Sequence, residues 1–150
     1  MTNHLHVKAL SLVSALLLAS AFTPVVSSTP PAPLGGTPIL ISPAAGAVMD
    51  NGCKGTPEGI TWDFDWSDVP SIAPTTLYHL KVWKNPALPI LNKMDLTTSS
   101  YHHTSAPSDY IINTNLTGWR WMVRAKVLGT WGAWSPVRSF KVERLNTDCP

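Results

Sequence analysis

The chain has 150 residues, a formal net charge of +2, 44% hydrophobic and 13% charged residues, 14 prolines, 9 glycines and 7 tryptophans. That length suits one domain with a core of its own, and a composition poor in helix formers but rich in turn and strand residues excludes a helical bundle. So small a net charge gives no overall case for nucleic acid.

The first 21 residues read as a secretory signal. Residues 1–8 are short and carry one positive charge at Lys8, residues 9–21 are uncharged and apolar, and Ala19-Ser20-Ala21 supplies a small-x-small site with cleavage before Phe22. The alternative is an uncleaved anchor, because the uncharged run stretches to Val26, but Ser20 and Pro24 weaken so marginal a span. No cysteine follows the run, which argues against a lipoprotein. Cleavage leaves no membrane span and places the product in a secreted, periplasmic or cell-surface setting. Residues 22–36 contain SSTPPAPLGG and are expected to form a solvated Pro/Gly/Ser-rich linker. A sandwich domain is expected over 37–144, followed by a short tail, 145–150, that carries Cys149.

The two cysteines, Cys53 and Cys149, lie near opposite ends of this domain. An oxidising compartment favours pairing them, the alternative being two free thiols. Neither has a second Cys or a His at ligand spacing, which argues against a metal site.

From Thr37 to Val142 short runs of alternating character are broken about every ten residues by Pro, Gly, Asn or Asp, the pattern of an antiparallel sandwich. The first strand covers 38–42 and stops at Pro43, with turn residues from Gly46 to Gly59. In the second, Ile60, Trp62, Phe64 and Trp66 face inward while Thr61, Asp63, Asp65 and Ser67 face outward. The third puts Tyr78, Leu80 and Val82 inward and His79, Lys81 and Trp83 outward. Residues 88–94 suit a short edge strand guarded by Pro89 and Lys93. Residues 97–116 hold one strand of unresolved register. The next strand turns Trp119, Trp121, Val123 and Ala125 one way and Arg120, Met122, Arg124 and Lys126 the other. Beyond Gly129, Trp131-Gly132-Ala133-Trp134-Ser135 leads into a last strand with Phe140 and Val142 inward. Seven strands result.

In order, PILISPAAG, ITWDFDWSDV, LYHLKVW, GWRWMVRA and GTWGAWSPVRSFKV make the chain resemble a fibronectin type III domain over 37–142. The resemblance implies an all-β, seven-stranded antiparallel, immunoglobulin-like sandwich, and a non-catalytic role. WGAWS is also similar to the Trp-Ser-x-Trp-Ser box of cytokine-receptor domains, with Gly132 at the first serine, which implies a stacking device. Trp119 stands where the family has the tyrosine whose hydroxyl ties the corner before its F strand, so that bond must be absent or replaced. The family topology brings Cys53 and Cys149 to one pole, so that a 53–149 disulfide is geometrically sensible.

Charge is segregated along the chain. Residues 50–68 hold Asp50, Glu58, Asp63, Asp65 and Asp68 against Lys54, whereas 69–141 hold eight basic and two acidic side chains. In the expected topology these groups fall on opposite sheets. The candidate binding face carries Lys81, Arg120, Arg124, Lys126 and Lys141 around Trp83 and His79. Its structural alternative is a cation–π ladder, with Arg120, Arg124 and Arg138 laid between Trp131 and Trp134. An outward Trp83, with Tyr101, could instead stack on a glycan.

Other sites are weaker. Asp63 and Asp65 with Asp68 or Asp50 lack the oxygen count of a calcium loop and do not face a second carboxylate across a cleft. The adjacent His102 and His103 point to opposite faces of a strand. Asn115-Leu116-Thr117 has the form of a glycosylation sequon. No catalytic motif and no cofactor motif occurs. The expected function is thus a secreted, non-catalytic binding or adhesion module for a protein or polysaccharide. A stand-alone carbohydrate-binding domain is the alternative, and a small hydrolase comes third.

Overall fold

The computed structural model describes residues 35–54, 57, 59–71, 75–106 and 109–147; the expected signal, all of the linker but Gly35 and Gly36, and Cys149 lie outside them. The elements are β1 (Leu40–Ser42), β2 (Ala47–Met49), β3 (Thr61–Trp66), β4 (Leu77–Trp83), β5 (Leu91–Leu96), β6 (Ser100–Thr104), a 3₁₀ turn at Asn113–Asn115, β7 (Trp119–Val127), β8 (Thr130–Trp131) and β9 (Arg138–Val142). One sheet has the order β1-β3-β6, and the other β2-β9-β7-β4-β5 with β8 on β7. The protein is all-β, built as two sheets with their core between them.

Strict alternation explains the core. Along β3 the inward side chains are buried and Thr61 and Asp63 are exposed, which holds the register read from the sequence. Tyr78, Leu80 and Val82 on β4 and Trp119, Trp121, Val123 and Ala125 on β7 are buried in the same cluster. Across the two sheets, rings meet edge to face: Trp62 lies 5.4 Å from Phe140 and Phe64 lies 5.2 Å from Trp121. Such pairs add about 0.5 to 1.5 kcal/mol each beyond the area they bury.

The structure corrects the expected strand count. Among the described residues there are nine strands, not seven: the two-residue β8 is added antiparallel to β7, and the added β2 pairs parallel with β9 through Ala47↔Phe140 and Met49↔Val142. Three residues inside a turn-rich segment are too few for a period to show. The edge strand expected at 88–94 is found as β5, after Pro89, and the unresolved 97–116 stretch contains β6 followed by the 3₁₀ turn. The chain reverses between β7 and β8 through Leu128 and Gly129, with φ of 50° and 80°. This is the two-residue hairpin geometry that matches strand twist. Beyond β9 the expected tail is held at Asn146, which bridges Cys53 and accepts the Lys54 N–H at its carbonyl at 2.9 Å.

Candidate functional site

The outer face of the larger sheet is set by register. β4 and β7 pair His79 with Arg124, Lys81 with Met122 and Trp83 with Arg120, so each pair shares one face. Arg120 and Lys141 are exposed, and Lys81, Arg124 and Lys126 are half-buried.

The connection from β8 to β9 covers part of this face. Gly132 N–H donates to the Ala125 carbonyl and Ser135 N–H to the Val123 carbonyl, both at 2.8 Å. The buried Ser135 Oγ accepts the Val123 N–H at 3.0 Å. Pinned at both places, the segment lays Trp131 and Trp134 over the sheet. The Arg124 guanidinium sits between them, 4.6 and 4.5 Å from the two ring centroids, and Lys126 Nζ lies 5.4 Å from the Trp131 ring.

His79 completes this cluster. Its ring centroid is 4.8 Å from that of Trp134 and 5.6 Å from that of Trp131. Arg124 Nε and Nη2 approach His79 Nδ1 at 3.3 and 3.2 Å, and His79 Nε2 lies 2.7 Å from Asn92 Oδ1. A guanidinium can only donate, so Nδ1 accepts and the neutral imidazole carries its proton on Nε2, donating to Asn92. Burial lowers the His79 pKa, the Asn92 hydrogen bond opposes this, Arg124 and Lys81 lower it further, and Asp95 opposes them.

Two expectations fail here. His79 and Trp83 point to the outer face as read, but both are buried, at 5% and 7% exposure. His79 is roofed by side chains more than forty residues away in the chain. Trp83 sits at the end of β4, where the 85–90 hairpin folds back through the Asn85↔Leu88 bridge and the Ile90 N–H to Val82 carbonyl bond. Trp83 therefore offers no open ring for a sugar. The ladder is also shorter than expected, because Arg124 alone of the three arginines is placed between the two indoles. Arg120 is exposed opposite Trp83. Arg138 shares the inward parity of Phe140, lies 5.8 Å from the Trp121 ring, and donates to the carbonyls of Leu40, Ile41 and Pro43 across the gap between the sheets.

Acidic groups occupy the other sheet. Asp63 on β3 lies exposed opposite His102 on β6, Oδ1 to Nδ1 at 2.6 Å, while His103 faces inward, 5.9 Å from the Trp62 ring. Tyr101 is half-buried under Lys93 Nζ. No group of three or more potential metal ligands occurs among the described residues. The sequon residue Asn115 is engaged: its Oδ1 accepts from Lys84 Nζ at 2.9 Å, and its carbonyl accepts the Trp119 indole N–H at 2.7 Å. An apolar cleft of about 400 Å³ opens between residues 38–40 and 136–139. A polar one of about 290 Å³ is lined by Asp68, Ser71, Thr97 and the Tyr78 side chain. The Tyr78 hydroxyl accepts the Val69 N–H, and its pKa is raised chiefly by burial.

The sequence reading missed Asn92 as the partner of His79, and no periodic signal marks it. No family model matches the chain, and no curated protein matches it.

Proposed function

We propose that the chain is a secreted or periplasmic, non-catalytic binding module of the fibronectin type III kind, which holds an anionic protein or polysaccharide at the outer face of its larger sheet. The observation that carries this reading is charge segregation in space. Arg120, Lys141, Lys81, Arg124 and Lys126 stand on β4, β7 and β9, whereas Asp63 and Asp65 stand on β3 in the other sheet. A mainly basic face, with Asp95 on β5 the acidic exception among the described strand residues of that sheet, raises the local concentration of anionic partners and speeds their encounter. The buried Trp83 removes the argument for sugar stacking there, so a polysaccharide would be held through its charge.

Family membership is supported by the strand order and by the corner before β7. There the Trp119 indole N–H bonds the Asn115 carbonyl, four residues upstream, in place of a tyrosine hydroxyl. The export signal over 1–21 supports the compartment. A Cys53–Cys149 disulfide belongs to the same proposal: Asn146, three residues before Cys149, bridges Cys53, and no described cysteine is free. Closing so long a loop would stabilise by about 4 to 5 kcal/mol. Peptide mapping without reductant should recover the linked pair, and two separate thiol peptides would overturn it.

The test of function is retention of the purified chain on dextran sulfate and on neutral dextran at low and high salt. We expect retention on the sulfated matrix alone, abolished by salt and by Arg120→Glu with Lys141→Glu. Equal retention on both matrices, or retention indifferent to the charge reversal, would overturn the reading.

A further inference from the structure

The His79 cluster is satisfied only while the imidazole is neutral, and a proton on Nδ1 would set its parts against each other. Arg124 is held by two indole faces and by an imidazole nitrogen that accepts from it. An arginine stays charged at every physiological pH, so this nitrogen must stay unprotonated for the contact to last. The imidazole's other nitrogen is committed to Asn92 Oδ1 at 2.7 Å, so the ring cannot flip to escape. The charged groups around His79 are Arg124 on β7, Lys81 on its own strand and Asp95 on β5, with the Trp131 and Trp134 rings above.

We propose that His79 is an acid-operated latch on Arg124: protonation of Nδ1 drives the guanidinium out from between Trp131 and Trp134 and strengthens the basic face toward polyanions. The proton taken from solvent forms an N–H on Nδ1 that points at the arginine donors 3.2 and 3.3 Å away. Donor then meets donor and cation meets cation in a site shielded from water, where like charges repel most strongly. His79 keeps its Nε2–H bond to Asn92, so Arg124 is the side that moves. The outcome is one added positive charge on the sheet and a guanidinium released to solvent-facing partners beside Lys126 and Lys81. Its consequence for polyanion binding rests on the functional reading above, whereas the latch itself does not.

The test follows the indole N–H signals of Trp131 and Trp134 and the imidazole signals of His79 by NMR in the purified chain, from about pH 8 to about pH 4. All should move together with one midpoint. His79→Gln, which can accept from Arg124 and donate to Asn92 without titrating, should hold the two indole signals still. Asn92→Asp, which favours the imidazolium, should move the midpoint to higher pH. His103→Gln should leave the transition in place. Indole signals that stay fixed while His79 protonates, or a transition that persists in His79→Gln, would overturn the latch. In parallel, affinity for dextran sulfate should rise roughly threefold to tenfold on acidification in the native chain but not in His79→Gln. Absence of binding at every pH would sink the functional reading, with the latch still judged on the NMR signals.

Discussion

Asn51 grips Ile111 from both sides of one residue. Its Nδ2 donates to the Ile111 carbonyl at 2.9 Å and its Oδ1 accepts the Ile111 N–H at 2.6 Å. The same Nδ2 donates to the Glu143 carbonyl at 3.0 Å, and the side chain is wholly buried. One amide thus joins the end of β2, the loop after β6 and the exit of β9. Asn51→Ala leaves these backbone groups short of partners, and stability should fall by about 2 to 4 kcal/mol. The urea midpoint measures this, and a midpoint equal to that of the native chain would show the amide to be dispensable.

Leu128 takes φ of 50° in the reversal between β7 and β8, and its side chain is 56% exposed. A leucine loses stability in this conformation and gains no burial there to offset it. Leu128→Asn creates the Asn-Gly pair that such hairpins favour, and thermal unfolding should shift upward by the equivalent of about 1 kcal/mol. A lower melting temperature would mean that Leu128 makes contacts worth more than its backbone strain.

β3, β4 and β7 were legible because each runs at least six residues with large apolar groups at every second position, and one such run permits one register. β2 was not, because its three residues pair with a strand ninety residues later and carry no period of their own. At the site, alternation told which face His79 and Trp83 point to and could not tell what covers them. The cover over His79 is Trp131 and Trp134, laid down by hydrogen bonds from Gly132 and Ser135 to β7. That placement depends on tertiary pairing and not on local pattern. Arg138 shows the opposite lesson: parity with Phe140 already put it on the inward side, against the ladder assigned to it.

Trp83 and Arg120 share a face at the end of β4, yet one is buried and the other exposed. Trp83→Ala should act through the fold, costing about 3 to 5 kcal/mol as a large buried ring is lost. Arg120→Glu should stay within about 0.5 kcal/mol of native stability while weakening dextran sulfate retention. Denaturant titration and retention measured on the same samples separate the two. Loss of retention with unchanged stability in Trp83→Ala would return the tryptophan to a binding role.

Acid should destabilise the fold through two histidines. His103 has its pKa lowered by burial first, then by Lys93 and His102, and His79 is lowered by burial first, as described. Each therefore binds its proton more readily in the unfolded chain, where the ordinary value is 6.5. Stability from these groups is fully present above that value and is lost as pH falls through the lowered folded values. Urea midpoints should be level from about pH 8 to about pH 7 and decline below about pH 6.5, before most carboxylates titrate. His79→Gln and His103→Gln should each flatten part of that decline. A midpoint that rises on acidification across this window would contradict the assignment, since it would require the folded chain to bind the extra protons.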